Sequence, residues 1–323
     1  AFYLWGGTGL IQDIELVECK AIDCKRYGFI NSSEKSSNSI AGKGMKNIRV
    51  IKCEAINSGK AGCISTGPWC PGFDILEQGN IVDSQYVCCK ASGSQESGFH
   101  EESGKPPGGQ PRLLSNILIK NCISVDNAQK GKSASWFGAG FTVGTGTRLE
   151  SCYSSNNKRG YLMAGGGSTM VHDVSCINCE DHGSDVGFLM ASGYNFTLQD
   201  CTSKNAASQA LTVSRLWDST IKRFNAVSPK GGTSDGSSIK TCVKFAPSVD
   251  LLGLENIFAG TPYDHDINVD LQLCGCGVQT SLYVSKATNL VFTGEIKSQH
   301  TDPLSISGTN IDTKGLKTTA GGC

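Results

Sequence analysis

Short alternations of apolar and polar residues recur along the chain, as in Ile48-Arg-Val-Ile-Lys-Cys53 and Ile117-Leu-Ile-Lys-Asn-Cys122. A period of two predicts β-strands with one face buried, and the Gly, Asn and Ser that bound these stretches predict tight turns. Nothing sustains the longer period of an amphipathic helix. Aligned on their cysteines, the stretches repeat. Seven units, opened by Cys19, Cys53, Cys89, Cys122, Cys152, Cys176 and Cys201, share the form C-x-[AS]-x-[ND], a variable turn, then G-[FY]. The second element reads Gly28-Phe29, Gly62-Cys63, Gly98-Phe99, Gly140-Phe141, Gly160-Tyr161, Gly187-Phe188 and Ala210-Leu211. The anchor cysteines lie 34, 36, 33, 30, 24 and 25 residues apart.

Repeats of this length stack into a solenoid, and strand-forming residues select a parallel β-helix whose coils lie about 4.8 Å apart. Equivalent positions then form columns: cysteines inside, aromatics inside, and Asp23, Asn57, Asn156 and Asn205 at a turn. Asn and Asp tolerate the left-handed conformation such a turn needs, and their side chains can hydrogen-bond from coil to coil.

The pattern resembles the right-handed parallel β-helix of the pectin-lyase-like superfamily, which includes pectate lyases, polygalacturonases, alginate lyases and epimerases, and phage tailspikes. Residues 10–215 carry the best repeats, 216–300 continue them more loosely, and 301–323 form a tail. Glycine- and serine-rich stretches such as 231–238 and 105–110 read as loops, so a single all-β domain is expected over 1–323, with about 24–36 residues per coil. The resemblance implies a helix that caps the first coil, whereas this chain opens on Phe2-Tyr-Leu-Trp5. Missing amino-terminal coils, or coverage by another chain through end-to-end self-association, are the expectations that follow.

Charge is balanced at 29 basic and 29 acidic residues, which argues against a nucleic-acid partner. No apolar run reaches the roughly 18–20 residues of a membrane span. Sixteen cysteines without zinc-site spacing predict a secreted, extracellular protein with several disulfides. The sequons at Asn31 and Asn195 predict N-glycosylation.

Chemistry is expected where charge breaks the pattern. His100 is the one ionisable residue in the position after G-[FY], and it opens His100-Glu101-Glu102. With Phe99 inward, His100 and Glu102 should point out and Glu101 in, unless a one-residue shift at Cys88-Cys89 turns Glu101 out. His100, Glu101 and Glu102, with Glu96, are the first candidate catalytic or cation-binding group. Arg26, Lys60, Lys130, Lys132, Lys158 and Arg159 form a basic stripe suited to uronate carboxylates, although each alone also reads as a solvated turn charge. Lyases of the resembled fold often use a basic residue as base with Ca²⁺ held by acids. That implies Lys132, Lys158 or Arg159 as base, and Glu96, Glu101 and Glu102 as Ca²⁺ ligands.

Asp181-His182-Gly183-Ser184-Asp185 offers two carboxylates for hydrolysis, and equally good turn chemistry. Tyr263-Asp264-His265-Asp266 resembles the Asp-Pro-His-[Asp/Glu] site of alginate epimerases without its proline. Trp136 is a candidate wall for stacking sugars, with Trp5, Trp69 and Trp217 as further rings. The catalytic motifs of polygalacturonases and of the major pectate lyases are absent. The resulting expectation is a carbohydrate-active enzyme cleaving an acidic polysaccharide by β-elimination. A glycoside hydrolase and a non-catalytic adhesive or glycan-binding β-helix are the alternatives.

Overall fold

One coil passes through three strands, Leu10–Val17, Lys20–Ile22 and Phe29–Ser32. The next repeats them as Gly44–Ile51, Glu54–Ile56 and Phe73–Leu76, each paired in parallel with its equivalent. The protein is a right-handed parallel β-helix with a long-strand wall, a short-strand wall and an aromatic wall. This computed structural model describes residues 1–7, 9–32, 44–59, 70–76, 79–101, 113–128, 138–164, 170–232, 239–246 and 264–323. Among them there is no helix. Further along the chain the strands run together: Val186–Gln199 spans two walls and Gln209–Val227 all three.

Single left-handed residues make the corners. One column bends the long strand at Asp13, Asn47, Asp83 and Asn116, and another turns into the short strand at Glu18, Lys52, Cys88 and Asn121. The third, Asp23, Asn57, Asp126, Asn156 and Asn205, is the turn column that the repeats predict. Asn donates to the Asp stacked beside it: Asn47 to Asp13 at 2.7 Å, Asn116 to Asp83 at 2.9 Å and Asn57 to Asp23 at 3.0 Å. Alternating amide with carboxylate spares these columns the repulsion of like charges one coil apart.

Inside, Phe2, Phe29, Phe73, Phe99, Phe141, Tyr161 and Phe188 stack with ring centroids 4.5–5.1 Å apart. The structure corrects the alignment at two points. Phe73, not Cys63, fills the aromatic position of its coil, pairing with Phe29 and Phe99. Cys179, not Cys176, continues the cysteine column between Cys152 and Cys201, so the last two coil lengths are 27 and 22 residues. Cys176 belongs to the column of Leu149 and Leu198.

The small residue of the repeat and its glycine are one contact. A Cβ on Gly98 would lie 2.1 Å from Ser124 Oγ and 2.8 Å from the Gly140 carbonyl oxygen. Ser124 donates to that same carbonyl at 2.9 Å.

The expected disulfides form away from the cysteine column. Cys242–Cys276 and Cys274–Cys323 staple the later coils, and Cys70 is bonded too. The column itself stays as free thiols. They donate to backbone oxygens, as Cys122 does to Tyr86 at 3.4 Å, and burial raises the thiol pKa of Cys122, Cys152 and Cys201.

Phe141 lies between Phe99 and Tyr161 in the ring stack. Phe141→Ala is expected to cost about 3–5 kcal/mol in denaturant unfolding, because the stack on either side cannot close over the gap. A loss below about 1 kcal/mol would show that the ladder is not what stabilises the coils.

Candidate functional site

Outward-facing residues of the aromatic wall form one column along the axis: Tyr3, Ile30, Asp74, His100, Thr142, Leu162, Leu189, Thr212 and Lys244. Its character changes from coil to coil. At the first two coils it is open, and Tyr3, Trp5, Ile30 and Ser32 join Lys25, Arg26 and Tyr27 of the preceding turn around a cleft of about 670 Å³. Tyr3 is 58 % and Trp5 45 % exposed. Their rings lie 5.9 Å apart, and the Arg26 guanidinium sits 4.6 Å over the Tyr27 ring. The strand presents alternate side chains to one face, so Tyr3 and Trp5 are neighbours there.

One and two coils on, the column turns polar and buried. His100, 4 % exposed, stacks on Asp74, and its Nδ1 is 3.1 Å from Glu96 Oε1. The other Glu96 oxygen accepts the backbone N–H of Cys70 at 3.0 Å, and Ser97 and Thr142 share a hydroxyl hydrogen bond of 2.9 Å. A carboxylate beside an imidazole is the arrangement that orients a ring nitrogen for proton transfer. Beyond it, Leu162 and Leu189 pack with Ala139, Val186 and Ala191 in an apolar cluster separate from the main core.

Glu101 faces the other way, as strict alternation requires. It is 2 % exposed, and its Oε2 accepts Gly144 N–H at 2.8 Å and the Thr147 hydroxyl at 2.7 Å. Burial raises its pKa to about 7, against the pull of those two bonds. The suspected shift at Cys88-Cys89 is instead the ordinary corner, and the irregularity falls between His100 and Glu101 in their pairing with the preceding coil. Glu96 and Glu101 lie on opposite faces of the wall and do not fit a shared Ca²⁺ site. Glu102, Lys60, Lys130, Lys132 and Trp136 lie outside the described residues.

The paired carboxylates are also separated. Asp181 occupies the small inward position between Ser154 and Ser203. It is fully buried, accepts the Ser184 hydroxyl at 2.6 Å, and is raised by burial to about 7. Asp185 is exposed, with Arg159 and Lys158 as its charged neighbours. Asp181 therefore faces the interior and Asp185 the surface, so the two do not offer their carboxylates to one substrate. Arg159 is itself buried, its guanidinium 3.5 Å from the Gly138 carbonyl oxygen, so the basic stripe is not a single exposed row. Arg26 does line the open cleft. Asp264 points inward, where burial raises its pKa well above the ordinary range.

Of the sequons, Asn195 is exposed at a corner and donates to Asp173. Asn31 is 5 % exposed and donates to the Tyr86 hydroxyl, so its amide is turned into the fold. Asp74, Tyr3 and Tyr27 were not singled out from sequence. Gly72-Phe73-Asp74 carries the same signal as Gly98-Phe99-His100, displaced by an insertion in its coil.

No described family matches the sequence, and no curated protein does. Among solved structures, the chain is similar to the amino-terminal fragment of bacteriophage phi29 gene product 12, at 13 % identity and TM-score 0.49, over 99 % of this chain and 56 % of that one. It is also similar to the A-module of the Azotobacter vinelandii mannuronan C-5 epimerase AlgE4, at 10 % identity and TM-score 0.46, over 99 % and 88 %. An Acinetobacter phage tailspike aligns at 11 % identity and TM-score 0.47, over 98 % and 57 %. The chain spans just over half the length of the two phage proteins. At these identities the likeness concerns the path of the chain alone.

The raised pKa of Glu101 has a defined sign. The folded carboxyl binds its proton more tightly than the unfolded one, so stability falls as pH rises from about 4.5 to about 7 and stays reduced above that. Glu101→Gln keeps an oxygen for both donors. The variant is expected to match the wild type near pH 4.5 and to gain up to roughly 3 kcal/mol at pH 8 in denaturant unfolding. Destabilisation at pH 8 would mean that the fold requires the ionised carboxylate.

Proposed function

We propose that this protein binds a linear anionic polysaccharide, seated in the cleft of the first coils. The cleft carries the proposal: exposed Tyr3 and Trp5 rings stand beside Arg26 and Lys25. Aromatic faces stack on the C–H faces of pyranose rings, while a guanidinium takes a uronate carboxylate through two parallel hydrogen bonds. The disulfides support an oxidising, extracellular compartment, where such polymers occur.

A second reading adds turnover by β-elimination, and the Glu96–His100 pair supports it. A base would remove the proton alpha to the uronate carboxylate. The glycosidic C–O bond then breaks, leaving a carbon–carbon double bond on one sugar and a hydroxyl on the other. The imidazole has the chemistry of that base, but at 4 % exposure and two coils beyond Arg26 it does not share a sugar with that guanidinium. Lys158 remains a candidate base at the half-buried turn before Arg159.

Calorimetric titration with hexagalacturonate tests the binding. Trp5→Ala is expected to weaken affinity about tenfold, the loss of one stacked ring. Arg26→Gln should weaken it as well and flatten its salt dependence. Unchanged affinity in both variants would sink the proposal. Ultraviolet absorbance of unsaturated ends and a reducing-end assay, run on the same samples, separate elimination from hydrolysis. Saturable binding with neither product would leave a glycan-binding, non-catalytic β-helix.

A further inference from the structure

The strand Asp264–Cys274 ends on a cysteine bonded to Cys323, and that bond stands in the wall of a groove of about 330 Å³. Both cysteines line the groove, together with Asn225, Gln272 and Glu295 from three successive coils of the short-strand wall, and Lys297. Cys323 is exposed and Cys274 half-buried. The Cys242–Cys276 bond is enclosed by contrast, with Cys242 0 % and Cys276 8 % exposed. Gly275, at φ 67°, makes room for the exposed sulfur, since a Cβ there would lie 2.9 Å from Cys323 Sγ.

The charge around the bond favours a thiolate. Lys297 holds the outward position of Cys274 one coil on. Its Nζ is 3.8 Å from Glu295 Oε2, and Glu295 stacks in turn beside Lys317, so two cations share one carboxylate. Ser228 donates its hydroxyl to Cys323 Sγ at 3.6 Å. Reactive sulfurs occur in partly exposed, electropositive surroundings, and exchange is faster when the departing sulfur is stabilised as its anion. A lysine beside Cys274 supplies that stabilisation.

We infer that Cys274–Cys323 is a thiol-exchange site that accepts a small anionic thiol. The thiolate attacks Cys323 Sγ, the sulfur of the exposed residue. A new S–S bond joins the small thiol to Cys323, the Cys274–Cys323 bond breaks, and its electron pair leaves on Cys274 Sγ beside Lys297. The step consumes no oxidant, and attack of the Cys274 thiolate on the mixed disulfide reverses it. What it releases is the covalent tie on the strand Leu304–Ala320. That strand is less enclosed than its neighbour: Leu304, Ile306 and Ile311 are partly buried, whereas their partners Leu282, Val284 and Leu290 are fully buried. Exchange therefore loosens this coil and leaves the earlier ones as they are. The inference is independent of the polysaccharide reading and stands or falls separately.

Reduced glutathione is the probe, added to the folded wild-type protein and quenched with acid for mass spectrometry of the intact chain and its peptides. One glutathione on Cys323 with Cys274 free is expected, while Cys242–Cys276 stays intact. Amide hydrogen exchange of the modified protein should speed up about tenfold or more over Leu304–Ala320 and stay unchanged over Val186–Gln199. Lys297→Gln, at an exposed position, is expected to slow the reaction about threefold at low salt and to flatten its salt dependence, with thermal unfolding near wild type. Exchange no faster than global unfolding would overturn the inference, as would equally ready reaction at Cys242–Cys276. Glutathione found on Cys274 in place of Cys323, or an unchanged rate in Lys297→Gln, would overturn the assigned roles of the two sulfurs. Unchanged hydrogen exchange over Leu304–Ala320 would overturn the release of the coil.

Discussion

Every coil rests on the backbone of the one before it, in register, about 4.8 Å away. That constraint makes neighbours of residues some 22 to 36 positions apart in the regular coils and leaves each side chain facing its own equivalent on either side. A residue type that stacks on itself succeeds everywhere, which is why one column is phenylalanine and tyrosine and another cysteine. Charge cannot simply repeat. In the first coils the corners meet this by placing Asn beside Asp, so that an amide donates where a second carboxylate would repel. The glycine column obeys the same rule from the steric side, its missing Cβ leaving room for the next coil's carbonyl oxygen.

Side-chain alternation divides neighbouring residues between two environments. Phe99 and Glu101 belong to the interior and His100 to the outer face, although the three are consecutive. The interior neutralises its acids, as the raised pKa values of Glu101 and Asp181 show. The outer face keeps charge and uses it differently on different walls. Lys25 and Arg26 give the aromatic wall's cleft a positive character, whereas on the long-strand wall Arg49, Lys120 and Arg148 are paired with carboxylates.

Covalent and non-covalent fastening are likewise distributed by coil. Where the thiol and aromatic columns are continuous, the cysteines remain free and serve as small apolar side chains with a weak donor. Past Phe188 the parallel ring stack ends, and Phe188 meets Phe224 edge to face. The later coils there carry the Cys242–Cys276 and Cys274–Cys323 bonds instead.

Local patterning and spacing determined the β-helix itself and its cysteine, aromatic and Asn columns. Stacking makes these properties periodic, and periodicity is visible in a linear string. Tertiary structure decided what interrupts the period. An insertion in the second coil displaced Phe73 and Asp74 from their expected spacing, and Cys176 stood close enough to Cys179 to pass for the column residue. Asp181 and Asp185 looked like partners in five residues, yet one is buried in the interior and the other exposed. The open cleft was unreadable for the same reason: Tyr3 and Trp5 on one coil meet Arg26 and Ile30 on the next only through backbone pairing.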